Sequence, residues 1–340
     1  MSSTQRENPM RAPAFWNNPR SKPGLAAVLL SPLSALWMWE ARRRWRQGAQ
    51  HRLRIPVICV GNINIGGTGK TPTVIELVTR LQSMGRKPHI VTRGYGGKVT
   101  GPKRVDALRH KASAVGDEPL LLAAFAPTWV ARDRMAGGLA AVADGADVLV
   151  LDDGMQNSAL AKDLTILVAD AAAGFGNGRV APAGPLREPV EQGMERADIV
   201  LAIGSEADRD SFFAEWPETS RKPCVGGVLE PLETGMDWQG LRVLAFAGIG
   251  RPEKFYATLR GLGADVVQTH SFDDHQPLPE ALLRRMESEA AEKGLQLVTT
   301  EKDAVRLPYS FQQKVLTLPV RLKIAEDRAL TERLEALLQA

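Results

Sequence analysis

The 340-residue chain has few of the features that would place it in several broad classes. It has two cysteines, Cys59 and Cys224, far apart and without metal-ligand spacing. That excludes a disulfide scaffold and a cysteine zinc site, and it fits a reducing compartment. Net charge is small: 43 Lys+Arg against 39 Asp+Glu gives +4, so charge balance points to no nucleic-acid partner. No apolar run is long enough for a membrane span. The uncharged stretch from Pro23 to Trp39 falls short of the roughly 20 residues a spanning helix needs, and Pro32 interrupts it. No small-residue cleavage site follows before the arginines, so the stretch does not read as a cleaved signal peptide. Internal repeats and low-complexity tracts are also missing. What remains, at 44% apolar and 24% charged residues, is a globular chain with room for about two domains.

The N-terminal stretch carries Leu25, Val28, Leu29, Leu30, Leu33, Leu36, Trp37, Met38 and Trp39, followed by Arg42, Arg43, Arg44, Trp45 and Arg46. Trp favours the headgroup level of a bilayer, and each Arg near anionic lipid contributes about 1 kcal/mol. Residues 1–50 are therefore expected to hold a helix lying in the membrane interface, giving peripheral association. The competing reading is a core helix with a solvated basic end.

Beyond residue 54 short β-rich runs alternate with helical spacing: "IPVICVGN", "PTVIELVTRLQSMG", "KPHIVTRGYGG", "RMAGGLAAVADGA", "DVLVLDDG", "LTILVAD" and "ADIVLAIG". Strands apolar on both faces, separated by helices, predict an α/β fold with a mostly parallel sheet and helices on both faces. The pattern over 51–220 is one domain, which the glycine-rich stretch GNINIGGTGKTP (61–72) between a strand and a helix marks as P-loop NTPase type. It loosens into Pro, Gly and β-like pieces over 221–240, a linker. A second, smaller α/β domain follows over 241–340.

The stretch GNINIGGTGKTP (61–72) follows one such strand and opens a helix, the location in which backbone N–H groups and a helix N-terminus make an anion site. The strict phosphate-loop pattern requires glycine at position 64, where Asn64 stands; Asn tolerates left-handed backbone better than other non-glycine residues. Gly66, Gly67 and Gly69 allow close wrapping. Lys70 reaches the β- and γ-phosphates and Thr71 suits Mg²⁺. Pro72 costs little in a first helical turn. Ile65, Gly66, Gly67, Thr68, Gly69, Lys70, Thr71 and Pro72 are the expected ATP-binding run. A P-loop enzyme also needs an acid at a neighbouring strand end, and "VLVLDDGMQN" supplies Asp152 and Asp153, with Gln156 close behind; with Thr71 these are the expected metal ligands.

ATP binding alone does not name the reaction. P-loop switch ATPases that place a second lysine before the double glycine have it where this chain has Ile65, which disfavours a membrane-associated switch ATPase. "TTEKD" (299–303) sets Lys302 directly before Asp303, without the spacing of an N-K-x-D guanine-reading motif.

Taken in order, "VGNINIGGTGKTP", "TRGYGG", "GDEPLLLA", "VLVLDDGMQN", "PAGPLRE", "FDDHQP" and "TTEKDAVRL", after an N-terminal apolar helix, resemble the tetraacyldisaccharide 4′-kinase family of lipid A biosynthesis. The resemblance covers the chain from about residue 20 onward. It implies transfer of the γ-phosphate of ATP, with Mg²⁺, to the 4′-hydroxyl of a tetraacylated glucosamine disaccharide 1-phosphate. The product is lipid IVA, made at the cytoplasmic face of the bacterial inner membrane. It also implies that Asp117 is the base taking the hydroxyl proton and that His275 pairs with it, His270 being the alternative register. From spacing alone Asp117 reads as a helix N-cap ahead of Pro119. An anionic amphiphile calls for cationic contacts, and the motifs offer Arg93, Tyr95, Arg134, Arg187 and Glu188 as substrate-binding residues.

Overall fold

Aliphatic strands without polar alternation cannot face water, and this chain covers them on both sides. A computed structural model describes residues 12–48, 51–273, 276–325 and 327–339. The strands, in chain order, are β1 (Val57–Gly61), β2 (Pro88–Thr92), β3 (Lys103–Arg104), β4 (Thr128–Val130), β5 (Val148–Asp152), β6 (Leu164–Asp170), β7 (Ile199–Ile203), β8 (Cys224–Pro231), β9 (Arg242–Ala247), β10 (Asp265–Ser271), β11 (Gln296–Thr300), β12 (Val315–Leu318) and β13 (Val320–Ala325). The described strands form a nine-stranded sheet, ordered β13-β8-β7-β6-β1-β5-β2-β4-β3, and a four-stranded sheet, ordered β10-β9-β11-β12. The small sheet is parallel throughout. The large one is parallel except at its edges, where β3 opposes β4 and β13 opposes β8.

β1, β2, β5 and β7 are buried at every position. One face of the large sheet is covered by the helices Lys70–Ser83 and Arg328–Gln339, which bury Leu77, Leu81, Leu330 and Leu334 against Ile58, Val60 and Val150. The other face packs Phe175, Met194, Phe212 and Trp216 against Leu151, Leu167 and Val200. From β1 the chain runs outward through β2 and β4, inserts β5 between β1 and β2, and then builds β6, β7 and β8 on the opposite side. The carboxyl end of β1 therefore lies at the point where the strand order reverses, the place where open α/β sheets bind ligands.

The structure distributes two segments differently from the sequence reading. β8 lies inside the stretch taken as a linker, yet it pairs in parallel with β7 through Cys224, Val225, Gly226 and Gly227. Gly226 and Gly227 dilute the apolar pattern that would otherwise mark a strand. β13 leaves the small sheet after Pro319 and lies against β8, with Leu322 opposite Leu229. The small sheet is thus an excursion between two adjacent strands of the large one.

Candidate active site

The loop 62–69 joins β1 to the helix Lys70–Ser83. Gly69 sits at φ 96°, and a Cβ there would lie 2.6 Å from Ile203 Cδ1. At Gly66 and Gly67 a Cβ would meet nothing within 4 Å, so this stretch borders open space, as a phosphate cradle must. Asn62 braces the loop from within, its Nδ2 donating to the Gly66 carbonyl at 3.3 Å and to Thr68 Oγ1 at 3.1 Å. The "PAGPLRE" segment runs alongside: Ile65 N donates to Pro185 O and Arg187 N to Ile63 O, both at 2.7 Å.

Asn64 does not adopt the left-handed backbone expected of it. Its role is carried by the side chain, buried at 8% exposure, whose Nδ2 donates to Gly174 O at 3.1 Å. Among the described residues the one non-glycine with positive φ is Asp153, at 53°.

The two acids after β5 are held in opposite ways. The β1–β5 register sets Asp152 beside Val60, at the mouth of the loop. Asp152 is buried and accepts from Thr92 Oγ1 at 2.9 Å. Burial, reinforced by the charges of Glu118 and Asp153, pushes its carboxyl up to about 7. For Asp153 burial acts in the same direction, but two cations outweigh it and keep the carboxyl below its ordinary range. Lys70 Nζ stands 3.8 Å from Asp153 Oδ1, and Arg187 Nη1 donates to both its oxygens at 2.8 and 3.0 Å.

These donors fit Mg²⁺. Asp152, Asp153 and the Thr71 hydroxyl are hard oxygen groups at the loop, and a divalent cation would offset the burial and like charge that lift Asp152. Among the described residues no group of three or more His, Cys, Asp or Glu could hold a metal alone. That suits an ion that leans on one or two carboxylates and on substrate phosphates.

The helix Asp117–Leu122 packs on the helix Lys70–Ser83 that the loop opens, with Leu122 in the same core cluster as Leu77 and Leu81. Gly116 at φ 95°, not Asp117, occupies its N-cap position, and Asp117 is its first helical residue, 4% exposed. The small domain meets this helix end. Arg306 Nε lies 3.9 Å from Asp117 Oδ2, and Lys302 Nζ lies 3.4 Å from Glu118 Oε1. Arg306 also pairs with the fully buried Asp303. Sequence reasoning left Lys302 unassigned and passed over Arg306 and Glu118. The signal was there: Lys302 and Arg306 stand one helical turn apart within "TTEKDAVRL".

A sequence profile for Tetraacyldisaccharide-1-P 4′-kinase matches residues 26–339. The chain belongs to this family. It is 56% identical to the tetraacyldisaccharide 4′-kinase of Dinoroseobacter shibae, over 96% of this chain and 98% of that one. It is 58% identical to the enzyme of the same name from Jannaschia sp., over 93% and 95%. The structure of LpxK from Aquifex aeolicus in complex with ATP superposes with a TM-score of 0.76 at 28% identity, covering 92% of this chain and all of that one.

The remaining expected site residues divide into two groups. Arg93 and Tyr95 are exposed on the loop after β2, close to Thr92 and hence to Asp152. Arg134 and Glu188 are buried, at 3% and 4% exposure. The Arg134 guanidinium donates to the carbonyls of Ala131 at 2.6 Å and Asp152 at 3.4 Å, which places it beneath the acid pair and away from solvent. Glu188 accepts from Gln156 Nε2 at 2.8 Å and pairs with Arg196. Both are held by fixed partners inside the fold, as a buried charge requires. His275 lies outside the described residues. His270 sits on β10, its Nε2 3.0 Å from Glu289 Oε2.

Proposed function

We propose that this protein transfers the γ-phosphate of ATP to the 4′-hydroxyl of tetraacyldisaccharide 1-phosphate, forming lipid IVA at the cytoplasmic face of the bacterial inner membrane. The observation that supports the reading is a lysine-bearing phosphate cradle in which Lys70 stands 3.8 Å from Asp153, on a helix against which the helix carrying Asp117 and Glu118 packs. Loop amides and Lys70 hold the phosphates, and Arg93 and Tyr95, on the open rim, contact the glycolipid. Mg²⁺, held by Thr71, Asp152 and Asp153, would neutralise charge developing on the phosphate oxygens. The sugar oxygen forms a bond to the γ-phosphorus as the bond to the β-phosphate oxygen breaks. The hydroxyl proton passes to the Asp117 carboxylate.

The N-terminal helix supports membrane access. Leu25, Val28, Leu29, Leu33, Leu36 and Trp37 share one side of the helix Leu25–Gln47 and are 52% to 75% exposed, one uncovered apolar stripe. The opposite side is anchored: Ser34 Oγ donates to Val180 O at 2.7 Å, and Arg179 donates to Ser31 Oγ at 2.8 Å. No helix among the described residues is long and apolar enough to cross a membrane. A stripe of this kind suits an interfacial position. The deciding experiment is a phosphorylation assay on the lipid disaccharide with ATP and Mg²⁺, locating the new phosphate. Release of free phosphate alone would abandon the kinase reading for a switch ATPase.

A further inference from the structure

The small domain reaches the Asp117–Glu118 helix end through one short turn, residues 300–306. Thr300 Oγ1 accepts the Asp303 N–H at 3.2 Å and donates to Asp303 Oδ2 at 2.7 Å, while Gly248 N donates to the same oxygen at 3.0 Å. Asp303 is thereby fixed, and it fixes Arg306 through their ion pair. Arg306 Nη1 further donates to Gln276 O at 3.1 Å. The result is a small-domain cation whose direction is set by its own domain before it meets Asp117. Lys302, one turn earlier, faces Glu118.

Two consecutive acids of one domain thus meet two cations of the other, each with its own partner. The side chains are largely covered: Arg306 and Asp117 are 9% and 4% exposed, Lys302 and Glu118 21% and 29%. Covered pairs are far less screened than surface pairs, and a mismatched register would leave like charges facing each other. Such a pattern defines a geometry as well as an attraction.

We propose that Lys302 and Arg306 are positioning residues that, by pairing with Glu118 and Asp117, set the register in which the small domain holds Asp117 towards the phosphate cradle. The proposal rests on the reading of Asp117 as proton acceptor. Misplacement of a reacting group by about 1 Å can cost on the order of 100-fold in rate, so loss of either pair should appear in turnover before it appears in nucleotide binding.

The test is charge exchange in the full-length protein, with kcat for the lipid disaccharide, ATP affinity and melting temperature measured for each variant. Lys302→Glu and Glu118→Lys are each expected to lower kcat by about ten- to hundredfold with ATP affinity close to the parent's. The double exchange is expected to recover most of that loss. Arg306→Met should fall likewise, and Arg306→Lys should recover part of it. The proposal is overturned if the double exchange is no faster than the slower single variant, if the single variants turn over at the parent rate, or if the losses follow melting temperature alone. Asp117→Asn separates the two levels. If it is fully active, the proton-acceptor reading falls and takes this proposal with it; if it is inactive while the exchange gives no rescue, only the positioning role falls.

Discussion

Asp153 holds a left-handed backbone, φ 53°, with its carboxylate 3.8 Å from the Lys70 ammonium and bonded twice to Arg187. The backbone strain aims this carboxylate at the phosphate-loop lysine, and strain of that kind persists where surrounding contacts over-determine it. Asp153→Asn keeps a residue tolerant of this conformation and removes the charge, whereas Asp153→Ala adds a penalty of about 1–2 kcal/mol. Both variants are expected to lose about 100-fold or more in turnover. Thermal melts should place the alanine variant below the asparagine one; equal melting temperatures would mean that the conformation carries no strain.

Asp152 gives a pH dependence whose sign follows from its raised carboxyl. Between the ordinary carboxylate range and about 7 the folded, cation-free protein holds a proton on Asp152 that the unfolded chain does not. Stability of that form should therefore fall as pH rises through the window. Metal binding must displace the same proton, so the Mg²⁺ needed for half-maximal activity should rise as pH falls below about 7. Asp152→Asn should flatten the stability profile measured in chelator. A slope unchanged by the substitution would assign it to another group.

The exposed stripe of the N-terminal helix makes a separable prediction. Leu29 and Leu33 are 70% and 54% exposed, so charging them disturbs little of the folded chain. Burying a leucine contributes roughly 1.5–3 kcal/mol, so Leu29→Glu with Leu33→Glu should weaken binding to anionic vesicles by about 100-fold or more. Sedimentation with vesicles measures this, and the melting temperature should stay near the parent's. Undiminished sedimentation would move the membrane contact elsewhere.

The strands and the cradle were legible in sequence because their signals are local. An unbroken apolar run such as Val148–Leu151 means a strand covered on both faces, and GGTGKT after such a run leaves few other structures open. Residues whose meaning depends on distant partners were not legible. Asn64 looked like a backbone substitute for glycine, but Gly174, 110 residues away, makes it a side-chain anchor. Arg134 was expected among the substrate contacts, and the fold buries it with its guanidinium on the Asp152 carbonyl. β13 pairs with a strand almost a hundred residues earlier, and no local pattern encodes that partner.

Long-range contacts also bind the N-terminal segment to the phosphate loop, which bears on what its removal would do. Asn177 is 2% exposed and donates through Nδ2 to Phe15 O at 3.1 Å and Ala183 O at 2.9 Å, while its Oδ1 accepts Arg179 N–H at 3.1 Å. Trp16 Nε1 reaches Pro182 O at 3.0 Å. The segment so held supplies the Gly174 and Pro185 carbonyls that anchor Asn64 and Ile65 of the phosphate loop. Loss of residues 12–48 should therefore weaken ATP binding in addition to abolishing vesicle binding. Asn177→Ala leaves the apolar stripe intact and breaks the shared anchor. It is expected to cost about 1–3 kcal/mol of stability, since buried carbonyls lose their donor, and to lower ATP affinity measured well below the melting temperature, with vesicle binding preserved. Unchanged ATP affinity in this variant would mean that the phosphate loop holds its shape without the N-terminal segment.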